Sequence, residues 1–462
     1  MEIVLKPFKL GNQYYVYDRN TNKILAVPKQ DYEALCSNQS STEKNAVLKK
    51  YQSKGFFLEN RLMEIKHPAN DFLTQFEEEN VTQLILQVTQ DCNLRCSYCY
   101  YVNESYRNRH HAKLNMSVDT ARKAMDYLLS HSVGKDNITL GFYGGEPLLR
   151  MDLLKYCIEY MESQVQDRRI LFTLTTNGTL LTDDIIEYFI AHNVALFISL
   201  DGTKETHDRN RKFVNGHGSF DIVMRNVAHI KERYPEYFKT IYFNTVISPE
   251  MDMKCVRDYY SADEVLATAN FTSSTIQEFY TDEPPQYDDR LYIDSQYGEF
   301  KALLICAGRL SAKDMPFIYQ GDISDIRKLQ ENLHTDFLLP SAYHHGGPCI
   351  AGSRRLFVDV AGNFYPCERV SESSETMKIG SLEEGLNLEK VLNLINVGKI
   401  TENECKRCWA LVHCRICAAW ADNLTGLDKS KKLQACPLYK SSVLHRFKNV
   451  CALSQFTHHK IK

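Results

Sequence analysis

QLILQVTQDCNLRCSYCYY, residues 83–101, joins an apolar run to three cysteines within eight residues. The cysteines are Cys92, Cys96 and Cys99, and the apolar run that precedes them is typical of a buried strand. Three thiolates can hold three corners of a [4Fe-4S] cube and leave the fourth iron open to a substrate or cofactor. A structural zinc site is the alternative, but such sites close with four ligands. The stretch therefore predicts an iron-sulfur site at the end of a strand.

Composition excludes several classes of partner. The chain has 462 residues, 44% of them hydrophobic, which is enough for two or three domains. The net charge is -3 without a basic field, so neither nucleic acid nor a membrane is an expected partner. The N-terminal residues do not resemble a signal peptide, and no apolar run reaches the length of a membrane span, so we expect a cytoplasmic protein. In a reducing compartment, fifteen cysteines in clusters favour metal over disulfides.

Four regions differ in pattern. Residues 1–82 read as strand, strand, turn and strand followed by two helices, which predicts a small winged-helix-like module without a catalytic constellation. Residues 83–310 alternate short β-rich runs with amphipathic helices, and residues 311–345 read as a linking segment. Residues 346–451 have few long periodic elements but many cysteines, so we expect metal to organise this region.

The alternating region predicts an α/β fold with a parallel sheet, most simply a partial (β/α)6 barrel. A helix capped by Ser117 separates the first two strands. Reactive residues should lie at the carboxyl ends of the strands. The expected strands are QLILQVT, ITLGFYGG, ILFTLTTNG, ALFISLDG and TIYFNTVIS.

Further motifs follow the later strands. GFYGGEPL ends the second strand with two glycines and Glu146, where glycines let a ligand approach the backbone and a carboxylate can bind an ammonium group. TTNG ends the third strand, and ISLDG ends the fourth and is followed by THDRNRK. Together with the cysteines, these motifs resemble the radical S-adenosylmethionine (SAM) superfamily over roughly residues 84–250. In that superfamily the open iron chelates the amino and carboxylate groups of SAM.

The resemblance implies roles by position. The cysteines of the opening stretch would ligate the cluster, Glu146 would bind the methionine amino group, and Ser199 and Arg211 would hold the carboxylate and ribose side. Arg209 competes with Arg211 for that role. Tyr98 would lie against adenine or simply pack in its loop, and Val246 would line the nucleoside or belong to the strand core. The expected SAM-binding residues are Tyr98, Gly144, Gly145, Glu146, Asn177, Ser199, Arg211 and Val246.

A second set of cysteines lies near the C-terminus. CIAGSRRLFVDVAGNFYPCERV places Cys349 and Cys367 at the ends of a hairpin that turns at Gly362, and CKRCWALVHCRIC and ACPLY follow. This pattern resembles the SPASM domain, an extension that carries two auxiliary iron-sulfur clusters in peptide-modifying radical enzymes. A zinc ribbon at Cys405 and Cys408 is the alternative.

The SPASM resemblance implies two ligand sets. The distal set, which would hold one cluster completely, is Cys405, Cys408, Cys414 and Cys436. The near set, for which the sequence offers no convincing fourth ligand, is Cys349, Cys367 and Cys417. The spacing in CRIC is shorter than in many family members. With the cysteines of the barrel, the expected cofactors are SAM and three [4Fe-4S] clusters. The remaining cysteines are expected to be buried or unligated: Cys36, Cys157, Cys255, Cys306 and Cys451.

The resemblances favour a maturase that forms thioether crosslinks, of the sactipeptide or ranthipeptide type. A 5′-deoxyadenosyl radical would take hydrogen from a carbon of the peptide, and a cysteine sulfur would bond to that carbon. Residues 1–82 resemble modules that bind the leader of a precursor peptide by strand addition, unless they are a plain packing domain. A flavodoxin or ferredoxin would donate electrons.

Two other functions stay open. An anaerobic sulfatase maturase, which makes formylglycine, would use Glu368 as a base, although Glu368 is equally well explained as a hydrogen-bonding or surface carboxylate. A non-enzymatic electron carrier would not need Gly144, Gly145 and Glu146.

Overall fold

The computed structural model describes residues 2–37, 41–101, 111–281, 283–311, 320–350, 352 and 354–456. Six parallel strands in the order β4 to β9 form the partial barrel, with helices in the connections. The expected α/β fold with a parallel sheet is therefore confirmed. The barrel strands are β4 (Gln83–Thr89), β5 (Asn137–Gly144), β6 (Arg169–Thr176), β7 (Val194–Ser199), β8 (Tyr242–Ile247) and β9 (Asn270–Thr275).

The helices of the barrel cover the outside of this sheet. The Ser117 side chain accepts a hydrogen bond from Thr120 N and so caps the first of them, as the sequence predicts. Apolar side chains of these helices and of the strands form one large core. The helices are α4 (Val118–Ser130), α5 (Met151–Gln164), α6 (Asp183–Ala191), α7 (Lys204–Asn210), α8 (Phe220–Arg233), α9 (Pro235–Phe238) and α10 (Met253–Ala262).

The N-terminal module, residues 1–82, contains an antiparallel sheet in the order β1-β2-β3. One face of the sheet packs on the module's first two helices, and the other packs on α12 and α15 from the C-terminal half. Both faces are thus covered. Its elements are β1 (Leu5–Leu10), β2 (Gln13–Asp18), β3 (Lys23–Ala26), α1 (Lys29–Cys36), α2 (Thr42–Gln52) and α3 (Leu73–Glu79).

The cysteine-rich region continues the barrel sheet instead of standing apart from it. The expected hairpin is present, with Gly362 at a φ of 87°, and its first strand pairs in parallel with β4. The sheet therefore has ten strands, in the order β13-β12-β11-β10-β4-β5-β6-β7-β8-β9. The added strands are β10 (Leu356–Val358), β11 (Asn363–Tyr365), β12 (Gly380–Ser381) and β13 (Gly385–Leu386).

The expectation of few long elements after residue 346 is wrong, because a 28-residue helix closes the described chain. Pro437 lies inside that helix, directly after Cys436, and breaks the sequence pattern by which a helix is recognised. No helix in the described part is long and apolar enough to cross a membrane. The remaining helices are α11 (Asp289–Cys306), α12 (Gln320–His334), α13 (Leu388–Ile395), α14 (Glu402–Lys406) and α15 (Lys429–Phe456).

Candidate active site

A cavity of about 510 Å³ opens at the carboxyl ends of the barrel strands, within the usual size range of small-molecule sites. It is lined by the barrel cysteines, Cys92, Cys96 and Cys99, and by every SAM-binding residue that the sequence predicts. Polar side chains of β8 and β9, such as Asn244 and Thr272, complete the wall. The structure thus brings the predicted residues together at one place. The SAM-binding residues on its wall are Tyr98, Gly144, Gly145, Glu146, Asn177, Ser199, Arg211 and Val246.

The loop that carries the barrel cysteines is tied to the segment after β7. Arg95 N donates to Lys212 O over 2.7 Å, and Ser97 N donates to Asn210 O over 3.0 Å. Leu94 and Phe213 form an isolated β-bridge. These backbone bonds orient the loop without help from the cysteine side chains.

Gly144 and Gly145 have a packing role that the sequence does not predict, and their contact with a ligand stays a prediction. A Cβ on Gly144 would lie 2.2 Å from Thr89 O, and one on Gly145 would lie 1.9 Å from Asp91 O. Gly145 N and Glu146 N donate to these same two carbonyls, each over 2.8 Å. The glycines therefore let the cysteine loop pack on the end of β5, and this contact between two backbones explains them before any ligand does.

Glu146 is a buried carboxylate that is already hydrogen-bonded. Its oxygens accept from Thr176 Oγ1 at 2.7 Å, Asn177 N at 2.7 Å and Leu148 N at 3.0 Å. Burial raises its pKa despite these bonds. Oε2 accepts only one of the three bonds, so an acceptor position remains for an ammonium group of a ligand.

Asp201 organises the opposite wall, and sequence reasoning missed it. Its fully buried carboxylate accepts from Arg211 Nε at 2.8 Å, from Val246 N at 2.9 Å and from the Tyr98 hydroxyl. Asp201 belongs to the motif ISLDG, in which the sequence analysis predicts a binding role for Ser199 and not for the aspartate two residues later. Arg211 is buried and lines the cavity, whereas Arg209 is exposed, so burial separates the two competitors.

Tyr98 and Asn177 connect the cavity wall to the cysteine loop. The Arg211 guanidinium lies 5.4 Å from the centre of the Tyr98 ring, so packing accounts for Tyr98 without a ligand. Asn177 Nδ2 donates to Asn93 Oδ1 over 2.8 Å and lies 3.9 Å from Cys92 Sγ. A contact of Tyr98 or Asn177 with a nucleoside stays a prediction.

The donor set fits an iron-sulfur cluster. All fifteen cysteines are free thiols, and the barrel cysteines lie close enough for Cys96 and Cys99 to raise the pKa of the Cys92 thiol, after burial as the main cause. Burial likewise raises the pKa of Cys96 to about 12. Among the described residues, no three His, Cys, Asp or Glu side chains are spaced to hold a single metal ion. A mononuclear zinc site is therefore not preformed in this part of the chain.

The near set lies at the edge of the same cavity. Burial raises the pKa of the Cys367 thiol to about 12, and the neighbouring Cys417 contributes to the rise. Burial also raises the pKa of Cys417, and Cys349 contributes to that rise. Glu368 and Arg369, which follow Cys367 directly, line the cavity. Both oxygens of Glu368 accept from Arg355 Nη1, at 2.7 and 3.0 Å.

The distal set lies farther along the C-terminal region. Cys405 and Cys436 raise the pKa of the Cys408 thiol, and Cys408 and Cys405 raise that of Cys414, although burial is the main cause in both. These interactions place the thiols of the distal set near one another, and their role as ligands stays a prediction. The other five cysteines lie on α1, α5, α10, α11 and α15, and two of them, Cys306 and Cys451, share a hydrophobic cluster with Cys408.

Comparison with known proteins gives a family match and a partial match to a relative. The family model of the Radical SAM superfamily matches residues 86–261. A cysteine-type anaerobic sulfatase-maturating enzyme of Clostridium novyi is 31% identical over 165 residues, which are 34% of this chain and 42% of that protein. The chain thus spans less than half the length of this relative.

Two longer matches extend beyond the barrel. The radical SAM cyclopropyl synthase TigE of Paramaledivibacter caminithermalis is 23% identical over 440 residues, which are 89% of this chain and 84% of that protein. The solved structure of native anSMEcpe with bound AdoMet and Cp18Cys peptide has a TM-score of 0.54 at 19% identity and covers 79% of this chain and 99% of that one. Residues 86–261 thus match the Radical SAM superfamily in sequence, and the chain shares the fold of the solved structure.

Proposed function

We propose that the chain is a radical SAM enzyme that installs thioether crosslinks at cysteines of a ribosomally made precursor peptide. The observation that carries the proposal is the near set, Cys349, Cys367 and Cys417, which has three thiols and adjoins the cavity of the barrel cysteines through Glu368 and Arg369. Since the other cysteines lie elsewhere, a fourth thiolate can come from a substrate.

The cofactors follow from the ligand sets. The barrel cysteines, the near set and the distal set would each hold a [4Fe-4S] cluster, and Glu146 and Arg211 would position SAM against the first. Bound SAM supplies, after one-electron cleavage, a 5′-deoxyadenosyl radical that removes a hydrogen atom from carbon. The electron for this cleavage would come from a flavodoxin or ferredoxin.

The crosslink balances as an oxidation. One C–H and one S–H bond break and one C–S bond forms. The hydrogen atom from carbon leaves in 5′-deoxyadenosine, and one proton and one electron leave separately. This chemistry requires two features. One is a position for the substrate thiolate beside the cavity, and the other is a series of iron-sulfur clusters that can carry the released electron away from it.

One comparison supports a peptide substrate, and another supports a function of the whole chain. The anSMEcpe structure that shares the fold contains a bound Cp18Cys peptide. The match to the cyclopropyl synthase extends over nearly the whole chain, whereas the sulfatase-maturating relative matches about a third of it. Length of match thus favours a function that uses the regions outside the barrel.

The N-terminal module would bind the leader of the precursor along β3. Both β1 and β3 are edge strands, but Pro7 in β1 has no amide hydrogen to offer a further strand. Both faces of the sheet are covered, so an edge remains for strand addition. We expect the intact enzyme to modify a leader-bearing peptide at least tenfold faster, in kcat/KM, than the same core peptide without its leader. Equal values for the two peptides would contradict leader recognition.

The reaction is tested by mass spectrometry of cysteine-containing peptides encoded beside the gene, after anaerobic incubation with reductant and SAM. A thioether is seen as the loss of two hydrogen atoms per crosslink, together with a thiol that no longer reacts with iodoacetamide. Conversion of the cysteine of a sulfatase-derived peptide to an aldehyde, by loss of sulfur and two hydrogens and gain of one oxygen, with no crosslink in any neighbouring peptide, would overturn the proposal.

Formylglycine formation is the second candidate, because Glu368 lines the cavity at the position expected for its base. Both oxygens of Glu368 are engaged by Arg355, which favours a positioning role instead. We therefore expect Glu368→Gln to retain thioether formation within about tenfold, whereas loss of a true general base costs about a hundredfold or more. Glu372→Gln is the control, since Glu372 binds Gln87 and is not among the residues that line the cavity.

A further inference from the structure

A buried lysine lies against the distal set, Cys405, Cys408, Cys414 and Cys436. Lys432 is 1% exposed, and its Nζ donates to Thr401 Oγ1 over 2.6 Å and lies 3.7 Å from Cys405 Sγ. Thr401 Oγ1 accepts from Lys432, and it lies 3.2 Å from Cys405 Sγ and 3.4 Å from Gly398 O, the two acceptors within reach of its one hydrogen. One sulfur of the set thus lies within reach of two protein donors, Lys432 and Thr401.

A second buried cation reaches the same set from the other end of the chain. Arg19 is fully buried, and its Nη1 donates to Lys406 O over 2.7 Å and to Cys408 O over 3.3 Å. It lies close enough to the Cys408 thiol for the two charges to interact. The N-terminal module and α15 therefore each place a positive charge beside the distal set.

Neither cation forms an ion pair with a carboxylate within the part of the chain that the structure describes. An uncompensated buried charge is costly, and lysine and arginine are rarely fully buried without a partner. Carboxylates act on both cations from beyond ion-pair distance, Asp18 and Glu2 on Arg19 and Glu404 on Lys432. A cluster ligated by four thiolates carries net negative charge, so the distal set would add the closest compensation. This inference rests on the ligand set assigned under the proposed function.

We propose that Lys432 and Arg19 are positioning residues that raise the reduction potential of the cluster held by the distal set and make it the electron acceptor farthest from the barrel cavity. Adding an electron makes the cluster more negative, and a nearby positive charge in a desolvated site stabilises the reduced form. Hydrogen bonds to a ligating sulfur act in the same direction.

The test is a redox titration with dithionite, followed by electron paramagnetic resonance, on enzyme in which the three barrel cysteines are replaced by alanine. Two auxiliary clusters then remain. In Lys432→Met, the midpoint reduction potential of one of the two clusters should fall by at least about 59 mV. For one electron, this shift is a tenfold drop in the equilibrium constant for reduction. The other midpoint should stay unchanged, and so should the iron content.

Lys440→Met is the matched control. Lys440 lowers the pKa of two thiols of the distal set, those of Cys408 and Cys436, but it is exposed to solvent. Screening by water should keep its effect well below tenfold. A shift as large as that of Lys432→Met, or full iron content with an unchanged midpoint in Lys432→Met, would overturn the inference.

Two further variants keep the test decisive. Thr401→Val is used if Lys432→Met loses iron. This variant removes the hydroxyl between Lys432 and Cys405 at nearly constant volume. An unchanged midpoint potential in Thr401→Val would equally overturn the inference. Cys405→Ala should remove about four irons. If it does not, the assignment of the distal set fails, which is a different result from a full cluster with an unshifted potential.

Discussion

The barrel cysteines and the distal set differ in how the chain assembles them. Cys92, Cys96 and Cys99 come from one loop of eight residues, tied by backbone bonds to the segment after β7. The distal set draws on α14, the turns that follow it and α15, and it rests against Arg19 of the N-terminal module. A loop that carries its own ligands can be recognised in a sequence as one motif. A set built from distant segments depends on the packing of the whole chain.

The largest expected effect separates the two regions directly. Replacing Cys92, Cys96 and Cys99 with alanine should lower the iron content from about twelve to about eight per chain. It should also abolish formation of 5′-deoxyadenosine, because SAM has no other predicted site. Iron analysis and chromatography of the products provide the measurement. Cys255→Ala, at an exposed position on α10, should change neither quantity. SAM cleavage by the triple variant would refute the assignment of the barrel site.

Asp201→Asn should weaken the barrel side without touching a cysteine. The variant leaves the buried Arg211 without its charge partner, and breaking a buried pair costs about 3–5 kcal/mol. We expect a lower unfolding midpoint in denaturant and slower formation of 5′-deoxyadenosine. Asp221→Asn is the control, because its contact with Lys204 lies at the surface and is expected to contribute less than about 1 kcal/mol. Equal effects of the two variants would show that Asp201 does not organise the wall.

Arg19→Met should affect the distal set and leave the barrel cysteines alone. It removes donors to the carbonyls of Lys406 and Cys408, which keep hydrogen bonds from Asn60 Nδ2 and Leu411 N, so each lost bond costs about 0.5–1.5 kcal/mol. We expect a smaller loss of stability than in Asp201→Asn, with SAM cleavage retained. Thermal unfolding and 5′-deoxyadenosine assays measure both. Arg61→Met, at an exposed position of the same module, should behave as the parent enzyme. Loss of SAM cleavage in Arg19→Met would show that the two regions are not independent.

Much of the barrel could be predicted from the sequence because its signals are local. Five of the six parallel strands are apolar runs, and the motifs at their ends meet in one cavity. The sixth strand, Asn270–Thr275, was missed because NFTSST is polar and mostly exposed, with no buried face to mark it. Asp201 was missed because its role depends on Tyr98 and Arg211, which approach it only in the folded chain.

The C-terminal half was less predictable because its order comes from contacts between distant residues. The cysteine spacings predict two ligand sets, but they do not reveal that β10 pairs with β4 or that α15 runs past Pro437. Similarly, the pattern of residues 1–82 identifies a three-stranded sheet with helices, yet not that its second face packs on α12 and α15. Removing this module would therefore expose apolar core, so binding of a leader is better tested with peptides than by truncation.

The pairing of β10 with β4 also fixes the spacing between the near set and the barrel cysteines. Leu356 lies opposite Leu84 and Val358 opposite Leu86, so the hairpin that ends at Cys367 is aligned residue by residue with the strand that leads to Cys92. A slip of one position would displace the hairpin by about 3.3 Å and exchange the side chains of β10 between its two buried faces. The register of the sheet thus determines the position of the near set relative to the barrel site. A relative with an insertion between Gly352 and β10 could keep this spacing, whereas one with an insertion inside β10 could not.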